Sequence, residues 1–286
     1  MAPDRPCRVV QLSRRAFLLF GPLLLVATCG AGRIAIDVNP AAQVRPVVGA
    51  SHQQLIDTIA TIISRDIGLP MPADVRAFVY EGRDTFRTGL IEDAYVAPQG
   101  ADSLASFAIG LARPHRVLLN VRGARGRTEW PRLIAHELTH VAQFALAGGD
   151  GQAEQWLAEG MAEHVAFQVL ERLGLDSLEH RRDVARQRAR NQAAFAQARL
   201  DLESLGSPSG FTLRHQREGS VETYQLAFLM TDYLIEREGF PRVVEYFRLR
   251  RDEARPDAFA NAFGQSIEEF EREVLAHLQR LMERHP

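Results

Sequence analysis

The chain has 286 residues, 46% of them apolar and 24% charged, an ordinary globular composition with length for one large domain or two small ones. A net charge of -2 leaves no positive excess to hold nucleic acid or an anionic membrane surface. Cys7 and Cys29 are the only cysteines, so the chain beyond them has neither disulfide nor thiolate ligand, and a metal site there must use His, Asp or Glu.

Residues 13 to 29 read SRRAFLLFGPLLLVATC. The apolar run from Ala16 to Thr28 is too short to span a bilayer comfortably and contains Gly21 and Pro22. It fits the central region of a cleaved export signal over residues 1–29, and Ser13-Arg14-Arg15 resembles the twin-arginine signal of bacteria. Val26-Ala27-Thr28-Cys29 resembles a lipoprotein box, which implies membrane attachment through a lipidated Cys29. The expected location is outside a bacterial cytoplasm, either released or lipid-anchored to the envelope.

Residues 30–50 are rich in Gly, Pro and Ala and read as a linker. Leu55, Ile56, Ile59, Ile62 and Ile63 have helical spacing, ending at Gly68 before Pro70. Val75, Ala77 and Val79 alternate as in a strand. Residues 81–103 read as turns, and 106–111 and 117–121 as two further short strands. Beyond Val121 the pattern is helical, with helices expected near 131–146, 152–173, 177–200, 220–238, 241–250 and 266–283. A long loop is expected around Leu205 to Ser220. The fold class is therefore α+β: an α/β part over 51–128 with a short sheet, packed on a mainly helical part over 129–286. All 34 basic residues are arginine, and their cluster at Arg181 to Arg190 reads as a solvated helix face.

His136-Glu137-Leu138-Thr139-His140 is an H-E-x-x-H pattern. Residues four apart lie one above the other on a helix, so His136 and His140 can offer two imidazole nitrogens to one ion. Glu137 sits about 100° around the helix, placed to act on a water at that ion without ligating it. Trp156-Leu-Ala-Glu159-Gly-Met-Ala-Glu163 falls on the next predicted helix. Two antiparallel helices would bring Glu159 to the histidine pair as third ligand. Glu163, one turn on, would accept from the outer nitrogen of a ligand histidine and fix its ring. Trp156 reads as a packing residue, and His164 and His215 as histidines that could assist.

H-E-x-x-H, then eighteen residues, then the glutamate of W-L-x-E-G-x-A-E, resembles the gluzincin zinc metallopeptidases, the peptidase MA-like group. The resemblance implies one Zn2+ held by His136, His140 and Glu159, with Glu137 as general base. A later segment beginning at Tyr224, sixty-five residues beyond Glu159, resembles the family helix whose tyrosine binds the oxyanion. Aminopeptidases of this group carry an acidic motif on the strand before the zinc helix. The comparable stretch here, Ser106-Phe-Ala-Ile-Gly110, has no acid, so the resemblance implies an endopeptidase acting on a peptide or protein substrate. Two other readings remain open. One is a non-catalytic exported member of the fold that binds peptide or protein; the other is a metal-dependent hydrolase of a different bond.

Overall fold

Alternating apolar residues build the sheet, and its two buried faces set the layers. In the computed structural model, residues 32–149, 153–191 and 201–283 are described. Strands β1 (Arg33–Asp37), β2 (Arg76–Tyr80), β3 (Gly110–Arg113) and β4 (Arg116–Asn120) form one mixed sheet in the order β1-β2-β4-β3. β2 and β4 run parallel, while β1 and β3 are antiparallel to their neighbours. Among the described residues, β3 therefore ends the sheet and pairs on one side only.

One sheet face carries Ala77, Val79, Val117 and Leu119 into the main core. That core also takes Ile56, Ile59 and Ile63 of the first helix, α1 (His52–Thr61), and its continuation as a π-turn over Ile62–Asp66. The other face presents Phe78, Tyr80 and Leu118 to a smaller cluster under α2 (Arg83–Glu92) and α3 (Pro98–Phe107). A sheet covered on both faces buries every residue of its central strands, as β2 does after Arg76.

The remaining helices are α4 (Glu129–Ala147), α5 (Gln155–Arg172), α6 (Leu178–Asn191), α7 (Leu202–Leu205) and α8 (Pro208–Glu218). They are followed by α9 (Ser220–Glu238), α10 (Phe240–Leu249), α11 (Arg255–Phe263) and α12 (Ile267–Glu283). The fold is α+β, with a small sheet in the N-terminal part and a mainly helical C-terminal part. Trp156 is fully buried and stacks on Phe270 at 5.4 Å, a packing residue as expected. No helix among the described residues is long and apolar enough to cross a membrane.

Several expectations need correction. Residues 30–50 are not a linker throughout: Arg33–Asp37 is a strand, paired Ile34 to Val79 and Ile36 to Ala77. The Gly- and Pro-rich flanks hid a five-residue strand, and the folded unit begins at residue 33 or earlier. Residues 81–103, expected to be turns, contain α2 and most of α3. Gly89, a turn signal in sequence, is inside α2 because the Tyr80 ring fills its side-chain space; a Cβ there would lie 2.1 Å from Tyr80 Cζ. Ser106 and Phe107 end α3 rather than starting a strand. Ser207 and Pro208, read as loop markers, start α8: the Ser207 hydroxyl accepts from Gly210 N at 3.0 Å, and Pro208 takes the first turn. The export signal with Cys29, and positions 192–200 of the helix expected over 177–200, lie outside the described residues.

Candidate metal centre

The site is built where α4 and α5 pack side by side. α4 ends at Gly148, whose left-handed φ of +73° stops the helix. α5 then runs back along α4: residues 132, 136 and 143 of one helix meet 163, 159 and 158 of the other. Gly160 lets α5 also approach α9 closely, since a Cβ there would lie 2.2 Å from the Ala227 carbonyl oxygen.

Three side-chain atoms converge. His136 Nε2 lies 3.1 Å from His140 Nε2 and 3.2 Å from Glu159 Oε2, and His140 Nε2 lies 3.4 Å from that same oxygen. A tetrahedral ion with bonds of about 2.0–2.1 Å to nitrogen and oxygen has ligand–ligand edges of about 3.3–3.4 Å. His136, His140 and Glu159 thus form a group that can hold a metal ion. His136 and Glu159 are buried, and His140 is nearly so.

Each candidate ligand is held from behind. His136 Nδ1 lies 3.1 Å from Glu163 Oε1, and Glu163 is in turn paired with Arg132. His140 Nδ1 lies 2.8 Å from Gln143 Oε1, whose amide donates to the Ala158 carbonyl at 2.8 Å. Gln155 Nε2 donates to Glu159 Oε1 at 2.7 Å, leaving Oε2 directed at the histidines. Such outer partners fix ring orientation and tautomer. Glu163, expected in sequence behind a ligand histidine, lies beside the His136 ring. Arg132, Gln143 and Gln155 were not anticipated, although each lies three or four residues from a ligand on the same helix, on the face the ligand uses.

The electrostatics reflect a dense ionic cluster. Burial would lower the His136 pKa, but Glu159 and Glu163 outweigh it and raise it to about 10. His140 is likewise raised: burial opposes, and Glu159 prevails. Burial acts to raise Glu159 and Glu163, yet both are lowered, the first by His140 and His136, the second by Arg132 and His136. Glu137 differs. Burial raises its pKa above the ordinary carboxylate value, more than the histidines lower it. A buried carboxylate of raised pKa is a better base than an exposed one.

Glu137 faces the end strand of the sheet. A Cβ at Gly110 would lie 2.2 Å from Glu137 Oε1, so only glycine leaves room for this carboxylate. Gly110 had no assigned role in sequence, where only the lack of an acid near it was noted. The Tyr224 ring, on α9, lies 6.0 Å from that of His136 and 5.9 Å from that of His215. Burial and then Glu159 push the Tyr224 hydroxyl well above its ordinary pKa, so it is a neutral donor.

Two cavities flank these groups, of about 440 and 500 Å³. Phe107, Ala108, Gly110, His136, Glu137 and Tyr224 line both and form the divide. His140 and Glu159 open to the second, and His215 and Glu163 to the first. His164 lines neither; it is buried on the far side of α5, with Nδ1 3.2 Å from Asp232. Compared with family models, with curated proteins and with solved structures, the chain matches none of them.

Proposed function

We propose that this protein is an exported zinc-dependent endopeptidase. The observation that carries the reading is the convergence of His136 Nε2, His140 Nε2 and Glu159 Oε2 next to the Glu137 carboxylate, beside a strand edge with no partner among the described residues. Two imidazoles and one carboxylate at tetrahedral spacing suit zinc, with one position left for water. Zinc held there supplies a Lewis acid that makes water a nucleophile near neutral pH.

The chain's own residues supply the rest. An extended peptide adds to the β3 edge through main-chain hydrogen bonds and so brings one of its carbonyls beside Glu137. Glu137 accepts a proton from the attacking water and passes it to the leaving amine. Tyr224 donates its O–H to the oxygen that gains charge. Cavities on both sides of this divide leave room for peptide on either side of the cleaved bond, which favours an endopeptidase over an exopeptidase. Export rests on residues 13–29 alone; the mass of the mature N-terminus tests cleavage and lipidation at Cys29.

The test compares wild type with Glu137→Gln for metal content and for cleavage of an unstructured protein. Both should bind about one zinc per chain, and only the wild type should cut. Zinc bound with no cleavage by either would favour the non-catalytic reading, a metal-holding protein that binds peptide.

A further inference from the structure

The arginine-rich stretch 181–190 is not simply a solvated face. Arg181, Val184, Ala185 and Arg188 of α6 line the first cavity, beside His136 and Glu137. Their spacing of three, four and seven residues makes one helical face. Most of the arginines here are engaged. Arg181 pairs with Asp176 at 2.6 Å, Arg182 with Asp232 at 2.9 Å, and Arg186 with Glu236 at 3.3 Å. Arg190 donates to the Leu281 carbonyl at 2.9 Å. Arg188, among the described residues, makes no hydrogen bond or ion pair, and it is exposed at the cavity rim.

Glu129 and Glu163 both pair with Arg132, and Glu137 is the base against Gly110. Of the three arginines on this wall, Arg132 pairs with Glu129 and Glu163 and Arg181 with Asp176, so Arg188 is the one without a carboxylate partner among the described residues.

Direction follows from β3. Leu111, Ala112 and Arg113 line only the second cavity, and Ile109 only the first, so β3 runs from the first toward the second. A peptide pairing antiparallel, the more stable ladder, places its C-terminal part in the first cavity. The second is walled by Leu104, Leu111, Phe144, Phe211 and Phe247.

We propose that the first cavity binds a carboxylate of the substrate, on the C-terminal side of the cleaved bond, through Arg188. The second takes an apolar side chain on the N-terminal side. This rests on the peptidase reading above.

The test uses matched quenched-fluorescence peptides with Glu, Gln or Lys after an apolar residue, all C-terminally amidated, plus a neutral peptide with a free C-terminus. Wild type, Arg188→Gln and Arg188→Glu are compared in the metal-loaded full protein, with cleavage sites mapped by mass. Binding of the same peptides to Glu137→Gln, with and without Arg188→Glu, is read by anisotropy.

Wild type should prefer Glu over Gln by about fivefold in kcat/KM, as a rim ion pair gives. Arg188→Gln should lose the preference, and Arg188→Glu should shift it to Lys. A gain confined to the free C-terminus would identify the terminal carboxylate as the group bound. Cleavage with no preference, or a preference that survives Arg188→Glu, overturns this inference and leaves the peptidase reading intact. Binding that follows charge at Arg188 without any cleavage overturns the peptidase reading and retains the carboxylate site.

Discussion

His136 presents Nε2 to the ligand cluster and Nδ1 to Glu163, 3.1 Å away, so one ring joins the candidate metal position to a buried carboxylate–arginine pair. A carboxylate behind a ligand imidazole sets its tautomer and raises its basicity. Glu163→Gln should therefore weaken metal binding at this site about 10- to 100-fold while the protein stays folded. Glu159→Ala removes a candidate ligand and should bring metal content close to zero under the same conditions. Competition with a chromophoric chelator measures both. Equal affinity in Glu163→Gln and wild type would reduce Glu163 to a packing residue.

Tyr224 is half-buried against His136, His215 and Phe211, and its hydroxyl is kept neutral. If it donates to the oxyanion, Tyr224→Phe should lower kcat by about 10²–10³-fold with little change in KM. Steady-state kinetics on one peptide decides this. A loss below about threefold would leave Tyr224 as an aromatic wall.

Two glycines should respond differently to alanine. At Gly110 the added Cβ meets the carboxylate end of Glu137, a group that can move aside. Gly110→Ala should cost activity by displacing the base, with thermal stability nearly unchanged. At Gly160 the added Cβ meets the Ala227 carbonyl, which is fixed in α9. Gly160→Ala should force the helices apart at about 1–3 kcal/mol, the usual cost of overpacking. Denaturant melts beside activity assays separate the two effects.

Asp232 joins α5, α6 and α9 by facing His164 at 3.2 Å and binding Arg182. Burial acts to raise its pKa, but His164 and Arg182 prevail and lower it. A depressed folded pKa adds stability that is complete above the unfolded value of about 3.9 and is lost as pH falls through the folded one. Asp232→Asn should thus destabilise by about 1–3 kcal/mol at neutral pH. Its deficit should shrink as pH drops below about 4. Melting curves at a series of pH values test this, and a deficit constant down to acid pH would contradict it.

Much of this was legible in the chain because it is local. Period-3.6 apolar spacing marked most of the helices after Val121, and α9 spans 220–238 as expected. The pair His136 and His140 needs only one helical turn to converge, and Glu159 with Glu163 only that the next helix run back along it. Those relations are set by spacing on rigid elements.

What escaped the sequence depends on neighbours distant in the chain. α2 contains Gly89, a poor helix former, at a position where the Tyr80 ring occupies the space a side chain would need. β1 is five residues among turn formers and exists by pairing with β2. Strand and helix propensities are weak, and tertiary contacts override them. The amides of Gln143 and Gln155 gained meaning only once α4 and α5 were docked. The same holds for Arg188: sequence determines that it is an arginine on a helix, but only the packing of α6 against the first cavity turns it toward the site. Residue type and spacing determined which groups could do chemistry; the tertiary structure decided which of them face one another, because burial and partner choice are properties of the packed whole.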